Sequence, residues 1–369
     1  MSLRRLLRHA GRGLLIAALL ALGGEGGRGS FYDWRLPAWA APPPVPIDNP
    51  MSEAKVELGR RLFHDVRLSG SGYMKCATCH EPERGFSEAR PTALGTTGMR
   101  HPRHAMPLAN VGYFPTLTWA DPSVRSLEQQ ALIPMFGEHP VEMMTFARVA
   151  DVFELIDGGD DTYRRLFAQA FPEVGGRIDF QTIPKAIAAF ERTLISRDAP
   201  WDRYRFGGDE HAISDAAKRG AGLFFGERLK CARCHGEPFF TDAVPVSQYH
   251  NTGLYNLDGR GGLPAGSQGL VDHTGRAEDM GRFRTPSLRN VEVAGPYMHD
   301  GSIATLAEVI AAYAAGGRAA LDGNRSPLTS DLVGGFEISE GETADLIAFL
   351  DILTDWAFLE NQRYRTPFR

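Results

Sequence analysis

A chain of 369 residues that is 43% hydrophobic and 23% charged has room for two ordinary globular domains, and its composition excludes an intrinsically disordered or fibrous protein. With 45 acids against 40 Lys and Arg, its net charge of −5 argues against nucleic acid or an anionic membrane surface as a partner. Its four cysteines all fall in two pentapeptides, Cys76-Ala77-Thr78-Cys79-His80 and Cys231-Ala232-Arg233-Cys234-His235, so no thiol is left over for a structural disulfide.

Residues 1–40 read as a secretory signal peptide. Arg4, Arg5, Arg8 and Arg12 precede an apolar run over 14–22 that is too short to span a bilayer, and Ala38-Trp39-Ala40 offers a small-x-small cleavage site. Arg4-Arg5 also admits a twin-arginine signal. Loss of 1–40 removes six Arg and two acids, a net +4, and leaves the mature chain at −9. Residues 42–50, rich in Pro, then read as an extended arm outside the core, and 52–63 as a helix with Ser52 as its N-cap. Apolar residues at helical spacing predict helix over 145–170 and 182–194, with Ile183, Ile187, Phe190 and Leu194 on one face. The stretch 197–209, with Pro200 and Gly207-Gly208, reads as the connection between two halves.

Beyond it, 214–225 predicts a helix capped by Ser214, and 259–269 a glycine-rich loop. Thr305-x-x-Glu308 is a capping box that opens a helix running through Val309, Ile310 and Tyr313, and Gly316-Gly317 stops it. A last helix covers 339–353. Strand signals are few, so the fold class is mainly α with long loops and little β.

The C-x-x-C-H spacing lets two thiols add to the vinyl groups of one haem while the adjacent His ligates its iron. A four-cysteine zinc site or two thioredoxin-like pairs would use the same cysteines, but neither needs a His after each second Cys. The motifs therefore predict two covalently bound c-type haems, with His80 and His235 on the irons. Both sit in an internal duplication. Leu62-Phe63-x-x-x-Arg67-Leu68 precedes the first motif and Leu223-Phe224-x-x-x-Arg228-Leu229 the second, while Phe86-Ser87-Glu88 and Phe240-Thr241-Asp242 follow them. Two cytochrome c-like domains in tandem, 41–200 and 201–369, are the simplest division.

What faces each iron on its other side decides between an electron carrier and a peroxide-reactive centre. Here the sequence resembles bacterial di-haem cytochrome c peroxidases and the MauG enzymes. The resemblance rests on Leu58-Gly59-Arg60-Arg61-Leu62-Phe63-His64-Asp65-Val66-Arg67-Leu68-Ser69, on Pro140-Val141-Glu142-Met143, on Arg282-Phe283-Arg284-Thr285-Pro286-Ser287-Leu288-Arg289-Asn290, and on Gly295-Pro296-Tyr297-Met298-His299-Asp300-Gly301-Ser302, in collinear order. Met135-Phe136-Gly137-Glu138-His139-Pro140 and the run from His250 to Gly259 are most similar to the MbnH branch.

Fourteen residues after His299, where the peroxidases carry a Met ligand, this chain has Tyr313. The resemblance to MauG and MbnH implies His–Tyr ligation there, and an anionic phenolate stabilises oxidised iron. Spacing alone leaves Tyr313 equally well a core aromatic, with Met280 or Met298 on the iron. At the first haem the resemblance implies Glu142 as the acid–base carboxylate, with Gln130 and Pro134 at other pocket positions, although Pro134 to Glu142 is two residues longer than in relatives. Thr96 stands where some peroxidases place a removable distal His, which implies an open haem. His101 and His104 are rival ligands by proximity and read as solvated-loop residues. Trp119 matches the charge-relaying tryptophan between the haems. A calcium ion between the halves is implied at backbone carbonyls near Ala294 and Pro296, but His104 occupies its Asn position.

The function implied is a periplasmic oxidoreductase that uses hydrogen peroxide to form a high-valent di-haem state and oxidises a protein substrate, in MbnH-like proteins a Trp of a secreted MbnP-like partner. Two alternatives stay open: a cytochrome c peroxidase fed by a small electron carrier, and a di-haem electron-transfer protein. Tyr313 and the lack of an evident distal ligand at the first haem count against the second of these, and the loss of the His–Met pattern against the first.

Overall fold

The computed structural model describes residues 32–158 and 161–368; the basic and apolar stretches on which the expected signal peptide rests fall outside the described residues. Twelve α-helices occur among them: α1 (Glu53–Phe63), α2 (Leu127–Phe136), α3 (Val149–Asp157), α4 (Asp161–Ala170), α5 (Thr182–Arg192), α6 (Pro200–Arg205), α7 (Asp215–Phe225), α8 (Val271–Thr274), α9 (Leu306–Ala314), α10 (Arg318–Leu321), α11 (Glu340–Asp351) and α12 (Trp356–Leu359). One antiparallel pair, β1 (Tyr249–Asn251) with β2 (Arg282–Arg284), is the only sheet in the described chain. The fold is mainly helical, as the scarcity of strand signals predicted.

The helix starts lie where the caps predicted them. Ser52, Ser214, Thr305 and Ser339 each accept a backbone N–H of the first turn, and Thr305 with Glu308 and Ser339 with Glu342 close capping boxes. Each cap satisfies donors that the helix itself cannot.

The duplication seen around the cysteines extends to a helix pair in each half. α1 packs on α5, and α7 on α11. A Cβ added to Gly59 would lie 1.9 Å from the Ala186 carbonyl oxygen, and one added to Gly220 would lie 1.9 Å from that of Asp345, so only glycine permits either crossing. Three phenylalanines lock each pair. Phe63 meets Phe86 at 5.9 Å and Phe190 at 5.3 Å between ring centroids, while Phe224 meets Phe240 at 5.9 Å and Phe349 at 4.9 Å. The third member, Phe190 or Phe349, comes from the second helix, far from the motif in sequence.

Three expectations need correction. The predicted helix over 145–170 is a 3₁₀ turn (Thr145–Arg148), then α3, then α4, with Gly158 ending α3. The stretch 197–209 is no loose connection. Pro200 sits at the first helical position, where its missing N–H costs nothing, and starts α6. Trp201 of that helix is buried in the core of the second half. Asp202 pairs with Arg289, both fully buried, with Arg289 Nη2 2.8 Å from Oδ1. The 42–50 arm is extended but anchored, because a Pro-rich segment has few backbone bonds of its own. The buried Asn49 donates to Glu128 Oε1 at 2.7 Å and to the Lys185 carbonyl at 2.9 Å. Trp34 to Arg369 thus makes one unit, and the sequence boundary at residue 200 falls at the first residue of α6.

Candidate haem centres

Each pentapeptide folds as a 3₁₀ turn, Cys76–Thr78 and Cys231–Arg233, and the His backbone N–H closes back on the first Cys carbonyl at 3.0 Å and 2.9 Å. The imidazoles are then aimed by the aromatic residue that follows each motif. His80 Nδ1 donates to the Phe86 carbonyl at 2.8 Å, and His235 Nδ1 to the Phe240 carbonyl at 3.0 Å. A carbonyl only accepts, so Nδ1 holds the proton and Nε2 keeps a lone pair for a metal. Phe86 and Phe240 have left-handed backbones, φ 65° and 54°, which turn these carbonyls toward the rings. Burial holds both imidazoles below their usual pKa, His80 at about 4, so both rings are neutral and able to ligate. The duplicated aromatic was visible in the sequence; its carbonyl's task was not.

None of the four cysteines forms a disulfide. Burial pushes Cys79 up to about 12 and Cys231 to about 11, and raises Cys76 as well. Thiols held neutral are poor redox nucleophiles, so the burial of these three counts against the thioredoxin-like reading. Cys234, Asp242 and His250 form the only cluster among the described residues that could hold a metal ion. Cys234 belongs to the pentapeptide, however, and His250 donates to Asp242 Oδ2 at 2.6 Å. That hydrogen bond, with one to Cys234, lifts His250 to about 10, so it is a cation at neutral pH. Sequence analysis did not foresee this pair.

Around the second motif lies a largely apolar cavity, bounded by Phe224 of α7, by Leu306, Val309, Ile310 and Tyr313 on one face of α9, and by Leu346 and Leu350 of α11, together with Cys231, Cys234 and His235. The α9 positions recur at three- and four-residue spacing, so one helical face supplies the wall. The Tyr313 hydroxyl has no hydrogen-bond partner among the described residues, unusual for a phenol in such a place. Burial raises its pKa, and the nearby Cys234 and Cys231 add to the rise. Met298 lines the same cavity, whereas Met280 packs with Trp119, Leu263 and Phe283. Arg284 also lines it, with Nη1 buried and unpaired, and burial lowers it to about 10. Two thiols, a neutral imidazole, a facing phenol, apolar walls and a guanidinium whose Nη1 is free for a propionate together fit a haem.

At the first motif, the carboxylate of Glu142 keeps 31% of its side-chain surface, yet burial lifts its pKa to about 7, and the charge of Glu88 adds to this. The same carboxylate acts electrostatically on both Cys76 and Cys79, which places it at that site. His101 Nε2 lies 3.8 Å from Glu142 Oε1. Thr96 donates its N–H to the Glu142 carbonyl at 2.8 Å, and Met143 N–H reaches the Pro134 carbonyl at 2.9 Å, so α2 and two loops hold the segment. Gln130 lies on α2 without a side-chain bond to Glu142. Glu88, fully buried, accepts from Ala105 N–H at 3.1 Å.

His104 departs from the solvated role expected of it. It is 4% exposed and both ring nitrogens are engaged by Ser87, Arg90 and Pro91. Trp119, 8% exposed, donates Nε1–H to the His104 carbonyl at 2.8 Å and borders the second cavity, where Phe283 stacks on His299 at 3.7 Å. Ala294 and Pro296 line that cavity too, and the Ala294 carbonyl faces the His104 ring.

The profile of the di-haem cytochrome c peroxidase family matches residues 53–211. The methylamine utilization protein MauG of Methylophilus methylotrophus is 38% identical over 84% of this chain and 85% of its own. The cytochrome c551 peroxidase of Nitrosomonas europaea is 31% identical over 84% and 83%. The crystal structure of a MauG-like protein associated with microbial copper homeostasis superposes with a TM-score of 0.87 at 45% identity, covering 92% of this chain and all of that one.

Proposed function

Because the chain belongs to the di-haem cytochrome c peroxidase and MauG family, and is thus a di-haem oxidoreductase, we propose that it works in the periplasm, using hydrogen peroxide to oxidise a protein substrate, a Trp of a secreted MbnP-like partner. The observation that carries this reading is Tyr313: an unpartnered phenol on the same cavity as Cys231, Cys234 and His235. The similarity to a MauG-like protein of copper homeostasis supports the branch. No described helix is long and apolar enough to cross a membrane.

The two pentapeptides would hold the haems, which when bound would supply the two-electron reduction of peroxide and store its oxidising power. The residues of the chain do the rest. Glu142, poised near neutrality, takes a proton from incoming peroxide and returns it to the departing oxygen. Tyr313 would hold the second iron as a phenolate, an anionic donor that would lower the potential there. His80 and His235 are held by Phe86 and Phe240 in the tautomer that ligates. Trp119, packed against Phe283 and bonded to His104, stands at the wall of the second cavity as the charge relay. Gln130 shapes the first pocket from α2.

One observation favours a second reading, a cytochrome c peroxidase served by a small carrier: Met298 shares the cavity with Tyr313. Tyr313→Phe separates the two. We expect the variant to retain both haems, to show a raised second potential in a spectroelectrochemical titration, and to lose the long-lived oxidised state formed with stoichiometric peroxide. An unchanged potential and spectrum would give that iron to Met298.

A further inference from the structure

The family resemblance places a calcium ion between the halves, on carbonyls near Ala294 and Pro296 and on an Asn side chain. The donors at that place do not fit a hard cation, which needs roughly six to eight oxygens at about 2.3–2.6 Å. The Asn position is His104, and N–H groups of His104 and Arg84 meet the carbonyls around it. We propose that the His104 imidazole stands in for this calcium, so that the protein joins its two halves here without a metal ion.

The contacts of His104 show how. Its Nδ1 is 3.1 Å from the Arg90 carbonyl and 3.1 Å from that of Pro91, and the Ala294 carbonyl also faces the ring. Carbonyls accept only, so Nδ1 carries its hydrogen whether the ring is neutral or charged. Nε2 lies 2.9 Å from Ser87 Oγ, and the Glu88 carboxylate is 3.9 Å from Nδ1. The neighbouring carbonyls of Val293 and Gly295 are met by Arg84 Nη1, at 3.5 Å and 3.4 Å. The backbone completes the link: His104 N–H donates to the His299 carbonyl at 2.8 Å, and its own carbonyl accepts from Trp119 Nε1 at 2.8 Å. One residue thus ties the segment after the first pentapeptide, the Trp119 relay and the loop before the second cavity. A buried ring bonded through both nitrogens fills the Asn position with nitrogen donors and turns the nearby carbonyls to N–H groups, with Glu88 the one carboxylate beside it.

The test is elemental analysis of desalted holoprotein alongside thermal melting in chelator and in excess calcium. The expected result is far less than one calcium per chain and a melting temperature indifferent to both additions. His104→Asn should lower the melting temperature in chelator, on the order of 5 °C for the loss of several buried hydrogen bonds. Stoichiometric calcium in the parent protein, a chelator-sensitive parent melt, or a His104→Asn protein as stable as the parent in chelator would each overturn the proposal. If that variant does not accumulate, the two parent measurements decide alone.

Discussion

Glu142 ionises near neutrality, and this makes its role visible in a pH profile. Burial disfavours the charged form and Glu88 adds repulsion, so the pKa rises from the ordinary 4.5 to about 7. A base must be ionised to accept the peroxide proton, so the peroxide reaction rate should climb as pH rises through 7 and level off above it. A carboxylate of ordinary pKa would give a rate flat down to about pH 5. Glu142→Gln should remove the inflection and slow the step by about 10²–10⁴. Stopped-flow spectroscopy reads both; parent-like rates and profile in the variant would assign the proton transfer elsewhere. At this scale the two pentapeptides were legible as candidate haem sites because the pattern is written into five consecutive residues, and the structure adds the carbonyls that fix the tautomers of His80 and His235. Glu88, Arg284 and the His250–Asp242 pair were not, since their significance lies in burial and in partners that only folding brings near.

The element that positions each haem motif is a helix pair crossing at a glycine. In α7, Gly220→Ala would drive a Cβ into the backbone of α11 at Asp345, whereas a Cβ at Gly222, two residues on, meets nothing within 4 Å. The two substitutions should therefore act in opposite directions. Gly220→Ala should cost about 1–3 kcal/mol through overpacking and loosen the second centre. Gly222→Ala, on the exposed face of the same helix, should gain about 0.5–1 kcal/mol. Thermal melts of both holoproteins check this; equal and small shifts would mean the crossing is softer than its geometry implies. Helix starts were legible because Ser52, Ser214, Thr305 and Ser339 act within three or four residues of themselves. The helix α6 was not, because Pro200 and Gly207-Gly208 read as breakers, and only the burial of Trp201 and the Asp202–Arg289 pair shows why a helix forms between them.

Across the whole molecule, the duplicated units are joined through the residues between them: His104 links residues 87–91 to 294–299, and Trp119 is set against Phe283 at the second cavity. The tandem arrangement was readable from the repeat; the path between its halves was readable only as a resemblance, because it depends on long-range packing. If oxidising power leaves the haems for a protein partner along this path, Trp119→Phe should slow substrate oxidation more than it slows peroxide consumption. The most direct measurement is peptide mass spectrometry of a secreted MbnP-like protein offered as the partner, after incubation with holoprotein and hydrogen peroxide. The account expects a mass gain on one partner Trp that requires both peroxide and the holoprotein. An unmodified partner, with rapid peroxide-dependent turnover of a small reduced c-type cytochrome, would contradict it.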